Sequence, residues 1–200
     1  MDSLESIRRE VIECKKCPLS QYRKRAVPGF GNEKSRIMLV GEAPGREEDE
    51  RGLPFVGRAG KLLDEILGNF GIDRNMVYIT NVVKCRPPNN RRPKREEVLA
   101  CVNYLVREIQ LINPKVIVAL GATSSNYLFN ESFPSSWKGK SKKVSSIRGN
   151  IGSLNIGGKS FKVLATFHPA SVLRNPKLRE KLEEDLRKAT ELWASSDGSV

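Results

Sequence analysis

The run IMLVGEAPGREEDERGLPFVGRAG, residues 37–60, changes pattern twice within a short distance. Ile37, Met38, Leu39 and Val40 make a continuous apolar stretch of the kind that fills a strand buried on both faces. An acidic loop rich in Pro and Gly follows, and a helical pattern takes over after it. In open α/β sheets ligands collect beyond the carboxyl ends of the strands, so Glu42, Glu47, Glu48, Asp49 and Phe55 stand where chemistry is expected. A run of acids is often only a solvated face. Here Pro44, Gly45, Gly52, Pro54 and Gly57 favour a shaped loop, because residues that fix or free the backbone at this density define a conformation.

Working outward, three more segments read as buried strands: residues 77–85, 115–121 and 161–167. Between them lie helical spacings, with Leu62, Leu63, Ile66, Leu67 and Phe70 in residues 61–70, and Val98, Val102, Leu105, Val106 and Ile109 in residues 93–112. Asn175 and Pro176 read as the cap and first residue of a C-terminal helix reaching about residue 193. Strands separated by helices predict an α/β fold, three-layer α/β/α with a central, mostly parallel four-stranded sheet. Residues 132–159 break this rhythm and read as a surface insertion, in which Asn155, Ile156, Gly157, Gly158 and Lys159 turn a small hairpin into the last strand. There is no internal repeat, and 200 residues match one domain over residues 1–200.

Lys and Arg number 35 against 23 Asp and Glu, a formal net charge of +12. Such an excess fits a polyanion partner, since cations that neutralise phosphates gain affinity by releasing counterions, although solubility or thermal adaptation also produces it. No apolar run approaches the roughly 20 residues of a bilayer span, and the charged N-terminus lacks a signal-peptide core. A soluble intracellular protein without a membrane partner is expected.

The chain has four cysteines. Cys14 and Cys17 form a C-x-x-C motif, Cys85 closes the second predicted strand, and Cys101 lies on the following helix. Four thiols in an intracellular protein suit a metal site better than disulfides. A zinc ribbon would repeat the short spacing in its second half, so the wide separation of Cys85 and Cys101 favours an iron–sulfur cluster over zinc. Cys101 alone, on an apolar helix face, also fits a core position.

His168 is the single histidine and sits just past the last strand, on the same rim as Glu42. Pro169 halts strand pairing and turns the chain away, which aims the ring out of the sheet's end. Asn81 is a polar interruption in an apolar strand. Its amide either bonds a neighbouring loop or reads a nucleobase edge, since it offers a donor and an acceptor in one plane.

These segments together resemble the uracil-DNA glycosylase superfamily, specifically the iron–sulfur family 4 enzymes of bacteria and archaea. The resemblance runs through the C-x-x-C start, GEAPG with its acidic run and PFVGRAG, TNVVKCRPP, the later Cys101, and FHPA near the end. It implies a monofunctional base-excision-repair hydrolase that removes uracil from single- and double-stranded DNA and leaves an abasic site. It implies a structural 4Fe-4S cluster on Cys14, Cys17, Cys85 and Cys101 that staples the N-terminal helix, with no nucleotide cofactor or magnesium. It also implies a monomer in a prokaryotic cytoplasm, associated with the nucleoid.

Carried onto this chain, the resemblance makes Phe55 the platform under a flipped base and Asn81 the reader of uracil N3–H and O4. His168 donates to O2 as charge develops on the leaving base. Relatives carry an aspartate for the water where this chain has Ala43, so Glu42 and Glu48 become the candidates for positioning water or stabilising the sugar cation. Gly45 stands where relatives have a tyrosine that excludes thymine's methyl, and Glu48 is a candidate to occupy that space. Leu173 is expected to fill the gap left by the flipped base, with Arg174, Ser171, Arg86, Asn89 and Ser124 on the DNA backbone. Two other readings are a glycosylase for another deaminated base, such as hypoxanthine, and a non-catalytic nucleic-acid-binding module.

Overall fold

The computed structural model describes residues 2–129 and 142–194. Its centre is a six-stranded sheet in the order β1-β3-β2-β4-β6-β5. The strands are β1 (Phe30–Gly31), β2 (Ile37–Gly41), β3 (Tyr78–Asn81), β4 (Val116–Leu120), β5 (Ile151–Ile156) and β6 (Lys159–Thr166). The four predicted strands are the inner four, and they run parallel. The expectation of four strands falls short by two, because β1 and β5 add antiparallel edges to β3 and β6.

Alternation along β2 sorts the core into two halves. Met38 and Val40 face a cluster with Ile7 and Val11 of α1 (Leu4–Glu13) and with Leu105 and Ile109 of α4 (Arg95–Ile112). Ile37 and Leu39 face Leu63, Ile66 and Leu67 of α3 (Arg58–Asn69) and Leu182 and Leu186 of α8 (Arg179–Ala194). Helices on both faces of one sheet make the three-layer α/β/α fold.

Several boundaries differ from expectation. The strand predicted over residues 77–85 ends at Asn81, and Val82 and Val83 instead donate their amides to the carbonyls of Gly41 and Glu42, at 2.9 and 3.2 Å. Cys85 therefore follows a bend rather than closing a strand. The acidic loop contains a short helix, α2 (Arg46–Arg51), which ends on Gly52 at φ 73°. Helices α5 (Ala122–Leu128), α6 (Val144–Ile147) and α7 (Pro169–Arg174) complete the set. Pro176 opens a 3-10 turn, Pro176–Leu178, before α8. Of the segment read as an insertion, residues 132–141 lie outside the described residues. Its end forms the predicted hairpin, in which β5 and β6 turn through Gly157 and Gly158 at φ 57° and 79°.

Candidate active site

A pocket of about 530 Å³ opens beyond the carboxyl ends of β2, β3, β4 and β6. It gathers Glu42, Ala43, Gly45, Glu48, Phe55, Asn81, His168, Ser171 and Arg174 from the sequence-predicted set. Asn90, Arg91 and Arg92 line it as well, from the basic loop after Cys85. Gly41 ends β2 beneath the pocket, where a Cβ would lie 2.3 Å from Asn81 Oδ1 and 2.6 Å from Phe55 Cζ. The missing side chain is what lets ring and amide converge over the strand end.

Phe55 is buried and holds a left-handed backbone conformation, φ 51°, uncommon outside glycine. Three contacts hold it there. Arg74 donates to Phe55 O at 3.0 Å and to Pro54 O, and is itself paired with Asp64 at 3.0 Å. Gly60 packs so closely that a Cβ there would sit 1.8 Å from Phe55 O.

Asn81 is 2% exposed, and its Oδ1 is the one buried side-chain polar atom without a hydrogen-bond partner among the described residues. Buried acceptors are normally satisfied, which sets Asn81 apart from the other buried polar side chains.

His168 caps α7 and is half-buried, with Nδ1 accepting from Ala170 N at 3.1 Å. Burial pushes its pKa down from 6.5 to about 4, the charge of Arg174 acts in the same direction, and Glu48 opposes them. The ring is therefore neutral near pH 7, and because Nδ1 accepts, the proton resides on Nε2.

The two candidate carboxylates differ. Glu48 is committed to the loop: Oε1 accepts from Val56 N and Gly57 N, each at 2.9 Å, and Oε2 from Gly45 N at 3.0 Å. It braces α2 against the turn that carries Phe55. Glu42 receives one side-chain bond, from the Thr123 hydroxyl at the start of α5 to Oε2. Asp49 is buried and accepts from Lys24 N at 3.0 Å, a fold contact away from the pocket.

The expected DNA-contacting residues separate into two groups. Ser171, Arg174 and Leu173 lie on α7, with Leu173 39% exposed. Asn89 is exposed in the basic loop, and Arg86 is half-buried, with Nε donating to Asn90 Oδ1 at 2.7 Å. Ser124 departs from expectation. It is 0% exposed and its hydroxyl donates to Leu120 O at 2.7 Å, so at this helix start the hydroxyl is not offered to a phosphate and only backbone amides are left for one.

All four cysteines are free, with Cys85 and Cys101 buried and Cys14 and Cys17 half-buried against the same core half. Arg23 donates to Cys85 Sγ at 3.0 Å and to Ile12 O at 2.7 Å, and the Lys84 amide meets Cys101 Sγ at 3.3 Å. Burial pushes the Cys101 thiol up to about 12, and raises Cys17 and Cys85 as well. No three His, Cys, Asp or Glu side chains among the described residues close around a position for a single metal ion. A cluster held by four cysteines asks instead for thiols on one side of the fold with donors to the sulfurs; these four pack on the same core half, and Cys85 and Cys101 have such donors.

Residues 28–193 match the model of the Uracil DNA glycosylase superfamily. Similar proteins include the type-4 uracil-DNA glycosylase of Archaeoglobus fulgidus, 49% identical over 192 residues that cover 96% of this chain and 94% of the relative. The type-4 enzyme of Sulfurisphaera tokodaii is 50% identical over 196 residues, 96% of this chain and 86% of the relative. That of Thermotoga maritima is 48% identical over 188 residues, 93% and 92% of the two chains.

Proposed function

Because the chain belongs to the uracil DNA glycosylase superfamily, we propose that it is a type-4 uracil-DNA glycosylase, a hydrolase that excises uracil in base-excision repair. The observation that carries the reading within the site is the unpartnered, buried Oδ1 of Asn81 in the wall of the pocket. Uracil N3–H supplies the donor that atom lacks, and the same amide's N–H donates to O4. Cytosine presents an amino group and a bare ring nitrogen at those positions, so it leaves both halves of the amide mismatched.

The geometry supports the remaining roles. The base flips from the DNA stack and lies on Phe55, whose ring is fixed by its own backbone. His168 donates from Nε2 to O2, where negative charge grows as the glycosidic bond breaks. A neutral donor already in place stabilises that charge without a proton transfer. Glu42, oriented by Thr123, positions the water and stabilises the cationic sugar. Glu48 shapes the wall: a Cβ on Gly45 would lie 2.7 Å from Glu48 Oε2, so the carboxylate fills the space beside that glycine and crowds a methyl at C5. Arg174, Ser171, Arg86 and Asn89 grip phosphates of single- or double-stranded DNA, and Leu173 enters the vacated stack.

The chain works as one glycosylase domain and as a monomer. Cys14, Cys17, Cys85 and Cys101 hold a 4Fe-4S cluster that ties α1 to the body of the fold. The cluster supplies rigidity, since hydrolysis of this bond moves no electrons.

The test uses end-labelled oligonucleotides carrying one uracil, hypoxanthine or thymine, incubated without magnesium and cleaved at abasic sites by hot alkali. Cleavage at uracil alone, lost in His168→Ala, is the expected result. Cleavage chiefly at hypoxanthine, or none at all, would replace this reading.

A further inference from the structure

Lys84 and Glu108 form a buried ion pair that the mechanism above does not use. Lys84 is 1% exposed and Glu108 is 0% exposed, and Nζ lies 2.6 Å from Glu108 Oε2. Glu108 also accepts from the Thr80 hydroxyl at 3.0 Å, from Tyr78 OH at 3.3 Å and from Gly29 N at 3.1 Å. Lys84 Nζ donates in addition to the Asn81 carbonyl at 3.0 Å and to Thr80 Oγ1, while the Lys84 amide meets Cys101 Sγ. The network thus begins at the peptide of the pocket's amide and ends at a thiol.

Net stability is a weak account of these charges. Replacing a buried ion pair by well-packed neutral groups is often neutral or stabilising, so a pair retained at such a place has some other work. Asn81 supplies the reason. It is the last residue of β3, its register partner is Gly41, which has no side chain, and its Oδ1 touches no donor. Among the described residues no hydrogen bond reaches its Oδ1, so the polar contacts that direct the side chain are those on its peptide. The group on that peptide's carbonyl is Lys84 Nζ.

We propose that Lys84 and Glu108 are positioning residues, which fix the Asn81 peptide so that its amide faces the pocket before a base arrives. The inference rests on Asn81 being the uracil reader. Thr80 is the third member, because its hydroxyl touches both charged groups.

The test is a double-mutant cycle in the cluster-loaded enzyme. Lys84→Met/Glu108→Gln removes both charges at nearly constant volume, and Thr80→Val removes the bridging hydroxyl while keeping the pair. Each is made alone and with Asn81→Ala, with iron per chain, thermal midpoint, kcat and KM measured on a uracil oligonucleotide. Expected are parent-like iron and midpoint, kcat lower by about tenfold at unchanged KM, and no further loss when Asn81 is already alanine. Losses that multiply in the Asn81→Ala background, or parent-like kcat in either variant, overturn the inference. Should the charge-free variant lose iron or fail to fold, Thr80→Val decides by the same cycle. If Asn81→Ala alone excises uracil like the parent, the reading of Asn81 itself falls, a result distinct from either.

Discussion

The rings of Phe55 and His168 are in stacking contact, 5.5 Å between centroids with planes inclined by 27°. Phe55 is buried and His168 half-buried beside it, so the proposed platform and the proposed donor share one shielded corner of the pocket.

That shielding sets a pH dependence. With a folded pKa near 4, His168 stays neutral across the ordinary working range, so excision is expected to be level from about pH 8 to pH 5 and to fall only toward pH 4. The unfolded chain binds this proton near 6.5, so the stability linked to the group is complete above that pH and is lost progressively as pH drops toward 4. His168→Ala should slow excision by about 10²- to 10³-fold and, relative to the parent, gain stability at pH 5 compared with pH 7. A parent rate profile centred near 6.5 would exclude the neutral donor.

Asn81→Leu separates function from folding. It removes a buried carbonyl that has no partner, so the thermal midpoint should hold or rise, whereas uracil excision should fall by about 100-fold or more. A midpoint several degrees lower would mean that the amide serves the fold.

The two carboxylates should part ways in a paired experiment. Glu48→Ala strips three backbone amides of their acceptor and should cost roughly 2–3 kcal/mol of stability, read by denaturant unfolding, with activity falling as the Phe55 turn loosens. Glu42→Gln keeps the Thr123 contact and should leave unfolding unchanged while lowering kcat by about tenfold or more. The reverse pattern would exchange their roles.

Cys101→Ser should lower iron per chain and weaken hydrogen-exchange protection in α1, the helix that Arg23 and Cys85 join to the body. Full iron content in this variant would remove Cys101 from the ligand set.

What the sequence disclosed and what it hid have physical causes. The inner strands were legible because each carries a run buried on both faces, while β1 has two residues and β5 alternates buried and exposed positions at an edge. Helix α2 reads REEDER and has no apolar stripe, so periodicity cannot detect it. Val82 and Val83 are as buried as any strand residue, which is why an apolar run overstates β3 at its carboxyl end. Pro169 stops the strand, as the sequence predicts, and also opens α7 at its first position. Residue types drew attention to Phe55, Asn81 and His168, all of which line the pocket, whereas the difference between Glu42 and Glu48 lies in their partners, and partners are not written in a motif. Lys84, placed in a predicted apolar strand, was the one visible sign of the buried network.

Phe55 is pinned by Arg74 at its carbonyl, by Gly60 against its peptide and by a backbone angle that few side chains tolerate. The freedom this residue surrenders is given up when the chain folds, long before a nucleotide arrives. On the proposed role of Phe55, base capture orders little of this platform, so the entropy of that step falls mainly on the DNA. Damaged sites that already hold a base loosely in the helix should be found first, and the same rigid platform serves at any temperature the fold survives.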